Sequence, residues 1–153
     1  MLLLNVQRPL IPDPKKLPVP IVKLLTPADL QVTGISLVSC TKDNATKKLV
    51  ITVSVTIKNN GQVRAAASGL KGFFHSPAGT ATAKPIDGLA SVGAMDPGSS
   101  LTANYIYRRP FSADAGFTLV PFDFWVKADG GNIISESNES NNGSAKIKII
   151  PPR

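Results

Sequence analysis

Lys48-Leu49-Val50-Ile51-Thr52-Val53-Ser54-Val55-Thr56-Ile57-Lys58 decides the fold class. Leu49, Ile51, Val53, Val55 and Ile57 stand at odd positions, and Thr52, Ser54 and Thr56 at even ones. Side chains alternate across a β-strand, so this stretch turns an apolar face inward and a hydroxyl face outward. Asn59-Asn60-Gly61 follows with the chemistry of a turn.

The same period recurs on both sides of this segment. Leu101, Ala103, Tyr105 and Tyr107 alternate with Thr102, Asn104 and Arg108. Phe122, Phe124, Val126 and Ala128 alternate with Asp123, Trp125 and Lys127, and Ala145, Ile147 and Ile149 with Ser144, Lys146 and Lys148. Upstream, Leu30 and Val32 change phase at Gly34 to Ile35 and Leu37, which suggests a bulge. A weaker strand is expected over about Ser68–His75 and another over about Thr80–Ile86, with Lys84–Pro97 forming a long middle connection. Turns are marked by Ser76-Pro77-Ala78-Gly79, Asp96-Pro97-Gly98 and Asp129-Gly130-Gly131-Asn132. No segment sustains a 3.6-residue period. The pattern predicts an all-β domain, a seven-stranded antiparallel sandwich.

Residues 1–27 read as a proline-rich tail or linker, since six of the 13 prolines lie there. The strands occupy residues 28–150, a span that suits one domain. Hydrophobic residues make up 42% of the chain, enough for a core, and charged residues only 18%. The net charge is +7, and residues 1–27 hold four cations against one anion. Along the sequence the excess is spread out, unlike the concentrated stripe of most nucleic-acid binders, so no nucleic-acid partner is expected. No apolar run is long enough for a membrane span. Met1-Leu2-Leu3-Leu4 is too short for a signal-peptide apolar region. Either the chain is not secreted by the usual route, or it is a piece of a longer exported protein.

Several elements in order carry a family resemblance: Ala28-Asp29-Leu30-Gln31-Val32, the long strand ending Lys58-Asn59-Asn60-Gly61, and Pro97-Gly98-Ser99 ahead of a strand. The chain then closes with Val126-Lys127-Ala128-Asp129, Ile133 and Glu136-Ser137-Asn138-Glu139-Ser140-Asn141-Asn142. Over about residues 28–150 this resembles the CARDB family, the cell adhesion related domains of bacteria. The resemblance implies an immunoglobulin-like or fibronectin-like sandwich and a non-catalytic module of bacterial or archaeal surface or secreted proteins. It also implies an extracellular or cell-envelope location.

The candidate chemistry is sparse. His75 is the single histidine, follows Phe73-Phe74, and has no Gly-x-Ser-x-Gly elbow to serve. A strand-end surface histidine is the plain reading. Cys40 is the single cysteine and can form no internal disulfide. Asp129, Glu136, Asn138, Glu139 and Asn141 are hard oxygen ligands in one loop and so are calcium candidates, although their spacing matches no EF-hand. The competing reading makes them turn-fixing residues, with Asn141 and Asn142 bonded to loop backbone and either Ile133 or Ile134 turned inward. No cofactor is expected otherwise. Trp125 lies on the polar phase of its strand, and an exposed tryptophan there suits a protein partner or a sugar ring. Arg108 and Arg109 before Pro110 read as solvated strand-end charges, the alternative being that they flank the Trp125 surface. The sequence therefore points away from an enzyme and toward a binding, adhesion or spacer module with a protein or polysaccharide partner. The alternative is a carbohydrate-binding module built on Trp125.

Overall fold

The structure, a computed structural model, describes residues 22–75, 84–111 and 119–153, and for 84–89 only the backbone. Seven strands form: β1 Leu30–Asp43, β2 Lys48–Asn59, β3 Ser68–His75, β4 Lys84–Val92, β5 Ser100–Pro110, β6 Phe122–Lys127 and β7 Ile147–Ile149. Every strand pairing is antiparallel. One layer is β1-β2-β5 and the other β4-β3-β6-β7. They join where β4 meets β5 at Asp87 and Arg108. On the far side β1 comes against β6 and β7. The architecture is the immunoglobulin-like sandwich that the alternation implies.

β2 behaves as its pattern demands. Leu49, Ile51, Val53, Val55 and Ile57 are fully buried, while the residues between them are partly exposed. Each such side chain removed from water contributes about 1.5–3 kcal/mol. Opposite them lie Leu70 and Phe74 of β3 and Phe122, Phe124 and Val126 of β6. β1 shifts register between Val32 and Gly34, as the phase change predicts, and again between Leu37 and Ser39.

Two expectations need correction. The strand foreseen over about Thr80–Ile86 is observed as Lys84–Val92, and residues 76–83 lie outside the described segments. Much of the supposed middle connection is thus strand β4, paired along β3. Pro85 and Gly88, poor strand formers, hid it. The second concerns Arg109, which is 1% exposed and not a solvated strand end. It shares the inward phase of β5 with Tyr105 and Tyr107. Its guanidinium lies 4.3 Å from the ring centroid of Phe122 and 4.7 Å from that of Phe74. A planar, weakly hydrated cation between aromatic faces is the form in which a buried charge is tolerated.

The turn chemistry is local and specific. In Asp96-Pro97-Gly98-Ser99 the Ser99 amide donates to the Asp96 carbonyl at 3.1 Å, and Gly98 has φ +72°. Proline followed by a residue of positive φ is a type II turn, which glycine accommodates without strain. At the other turn, a Cβ on Gly61 would stand 2.1 Å from the Pro27 carbonyl oxygen. Glycine there lets the entering chain cross the end of β2.

Candidate functional site

The strongest sequence element, residues 129–142, folds as a clasp. Asp129 is buried with φ 43°, and its carboxylate accepts the amides of Ile133 at 3.1 Å and Ile134 at 2.9 Å. Asn138 Oδ1 accepts both the amide and the hydroxyl of Ser140. Glu136 reaches back to the start of β1, where its carboxylate accepts the Leu30 amide at 2.5 Å. The Ser137 amide donates to the Ala28 carbonyl, and Ala28 forms a parallel bridge with Glu136. Asn141 Nδ2 donates to Asp29 Oδ1 at 2.9 Å, and Asn142 Nδ2 to Glu136 Oε1 at 3.0 Å. Asn141 and Asn142 therefore bind carboxylates through their side-chain amides, where loop backbone was expected. Ile134 packs against the core and Ile133 is exposed. Burial, with Glu139 and Asp129 nearby, pushes the Glu136 carboxyl above its ordinary value, against the opposing pull of its hydrogen bonds.

The five calcium candidates divide by these contacts. Asp129, Glu136 and Asn138 accept hydrogen bonds as described, and Glu139 Oε1 accepts the Glu136 amide at 3.2 Å. Asn141 Oδ1 and Asn142 Oδ1 are buried and accept no hydrogen bond. Among the described residues no three acidic, histidine or cysteine side chains gather in a metal-binding group.

His75 and Asp123 face one another in the β3–β6 register. With Pro121, Phe122 and Lys148 they line a shallow depression. None of these lining residues is a serine, threonine or cysteine. Cys40 lies half-buried on β1, where burial raises its thiol above the ordinary value and Arg109 pulls the other way.

Trp125 is half-buried, less open than the outward phase alone suggests. Its ring stacks on Phe73, its register partner on β3, with centroids 5.7 Å apart and planes 14° apart. Lys146 Nζ lies 5.0 Å from the Trp125 centroid, and Lys71 Nζ 5.7 Å from that of Phe73. Lys71 pairs with Lys127, and Lys148 with Asp123. The outer face of β3-β6-β7 is thus an aromatic pair set among lysines. The outer face of the other layer differs: Thr52, Ser54 and Thr56 stand beside Thr102 and Asn104, with Thr56 and Thr102 hydroxyls 2.8 Å apart. The gathering of lysines escaped the sequence reading because they come from three separate segments of the chain: Lys71 from β3, Lys127 from β6, and Lys146 and Lys148 from the β7 region. Only the equal phase of Lys71, Phe73, Trp125, Lys127, Lys146 and Lys148 signals it.

Solved structures share this architecture. One is the CARDB domain of the PF1109 protein from Pyrococcus furiosus, in complex with di-metal ions: 17% identity, TM-score 0.53, covering 82% of this chain and 94% of that one. A β-glucosidase involved in saponin metabolism from intestinal bacteria matches at 11% identity and TM-score 0.52, over 82% of this chain but 16% of its own. The β-D-glucoside glucohydrolase of Trichoderma reesei matches at 16% and 0.52, over 82% and 19%. At these identities the likeness concerns the fold alone, and each glucosidase is matched over a small part of its length. Among curated proteins, no sequence matches. The CARDB family model matches residues 27–146, which hold the whole sandwich up to the final strand and the clasp itself, and the chain belongs to the CARDB family.

Proposed function

We propose that this chain is a non-catalytic binding or adhesion module of a surface or secreted assembly, and that the outer face of β3-β6-β7 is its contact surface. Family membership supports an adhesion-related role. The observation that carries the choice of face is the stacked Phe73–Trp125 pair with lysines over its rings, on an outer surface. Adhesion of beads coated with the protein to cell envelopes tests the reading. Phe73→Ser with Trp125→Ser is expected to lower bead retention about tenfold, while Thr52→Ser with Thr102→Ser on the other layer leaves it unchanged. Equal retention of parent and face variant, both shown to be folded by thermal melting, contradicts the assignment.

The acidic loop is, on this reading, a clasp that needs no metal. Its carboxylates satisfy backbone amides and the asparagine amides, which orders the loop directly. The two buried carboxamide oxygens of Asn141 and Asn142 are the atoms a hard cation would use. Calorimetric titration with calcium is expected to give at most weak binding. Sub-micromolar affinity abolished by Glu136→Gln would make the loop a calcium site.

A further inference from the structure

We propose that the ligand of the β3-β6-β7 outer face is an anionic polysaccharide, one bearing carboxylate or sulfate groups at regular intervals. The inference rests on the reading of this face as the contact surface. Four lysines stand there, Lys71, Lys127, Lys146 and Lys148, against one acid, Asp123. Their sum of +3 compares with +4 for all of residues 28–153. Folding therefore concentrates a charge that is diffuse along the sequence.

Three of the four ammonium groups are also held in place. Lys71 and Lys146 lie over the stacked rings, and Lys127 Nζ donates to Asn132 Oδ1 at 3.0 Å. An ammonium has three donors, so each of these retains capacity for an anion. Strands about 4.8 Å apart, with same-face residues roughly 6.7 Å apart along each, space the lysines as a grid. A flexible chain with repeated anionic groups can satisfy such a grid several contacts at a time, and weak contacts then add to a useful avidity.

Other ligand chemistries fit less well. A neutral sugar needs an open ring face, and here each ring already carries a stacking partner and a lysine. Single-stranded nucleic acid needs the same open faces for its bases. The flat surface offers no helix or ribbon for a duplex groove, and its cations are lysines, which cannot make the bidentate arginine contact to guanine. Interface centres between proteins are depleted in lysine, whereas here lysine is the commonest residue.

The test is calorimetry on the whole chain with polygalacturonate, neutral dextran, oligothymidylate and duplex DNA, at about 50 and 200 mM salt. Lys71→Gln/Lys146→Gln/Lys148→Gln is compared with Lys23→Gln/Lys47→Gln/Lys58→Gln, which removes the same charge elsewhere. The expected result is salt-sensitive binding of polygalacturonate, weakened about tenfold by the first set and under about threefold by the second. Dextran is expected not to bind. Equal weakening by both sets, or tighter binding of either nucleic acid, overturns the proposal. If polygalacturonate fails to bind while bead adhesion still depends on Phe73 and Trp125, the polysaccharide class is wrong and the contact surface stands. If both fail, the contact surface is wrong as well.

Discussion

Val53→Asp is expected to destabilise the protein by about 4 kcal/mol or more, enough to leave much of it unfolded at room temperature. Val53 is fully buried in the middle of β2, paired with Leu37 of β1 and Tyr105 of β5. A carboxylate there gives up its hydration and gains no partner. Thr52→Asp, one residue away on the half-exposed outer phase, keeps its carboxylate in contact with water and should cost about 1 kcal/mol. Chemical denaturation of the two variants measures the contrast. Similar midpoints would mean that the inward and outward faces of β2 are wrongly assigned.

Asn59→Ala is expected to cost about 3 kcal/mol, a large effect for a residue at a strand end. Asn59 is fully buried. Its side-chain oxygen accepts the amides of Asp29 at 3.1 Å and Gly61 at 3.0 Å. Its side-chain nitrogen donates to the carbonyls of Val63 at 2.9 Å and Met95 at 3.1 Å. Its backbone adds bonds to Ser99 and Gly98. One carboxamide thus ties the entry to β1, the exit of β2 and the turn before β5. Alanine leaves two amides and two carbonyls without that partner. Asn59→Asp keeps the acceptor but sets a buried carboxylate against the Val63 and Met95 carbonyls, and should cost at least as much as alanine. An Asn59→Ala variant that melts with the parent would show that these segments are held by packing alone.

Where side-chain type and strand phase agree, the sequence is easily read. β2 is the clearest case, because five apolar residues are buried in strict alternation with partly exposed ones, all of them polar except Val50. Phe122, Phe124 and Val126 of β6 follow the same logic and are buried as expected. Reading fails where the two signals conflict. Arg109 has the inward phase of Tyr105 and Tyr107, but its charge suggested solvent. Only the positions of Phe74 and Phe122, supplied by other strands, explain its burial. β4 fails for the opposite reason, since Pro85 and Gly88 carry loop signals inside a paired strand.

The site divides in the same way. The clasp was recognisable as a dense run of Glu, Asn and Ser between two strands, and its role as an ordered loop follows from such chemistry. Its actual partners were not legible, because Asp29, Ala28 and Leu30 lie more than a hundred residues upstream. Asn59 looked like an ordinary turn residue for the same reason. Trp125 was visible as an outward aromatic, but Phe73 and Lys146 reach it only through the β3–β6 pairing and the return of the chain into β7. Long-range register creates the face, and no local window contains it.

The central claim is that ligand binds across Phe73 and Trp125, and Trp125 is the protein's single tryptophan. Its emission therefore reports on this face alone. Titration of the protein with polygalacturonate should change the tryptophan emission in a saturable way, with the same midpoint that calorimetry gives and the same loss in Lys71→Gln/Lys146→Gln/Lys148→Gln. Calorimetric binding with unchanged emission would place the ligand elsewhere on the molecule and contradict the account.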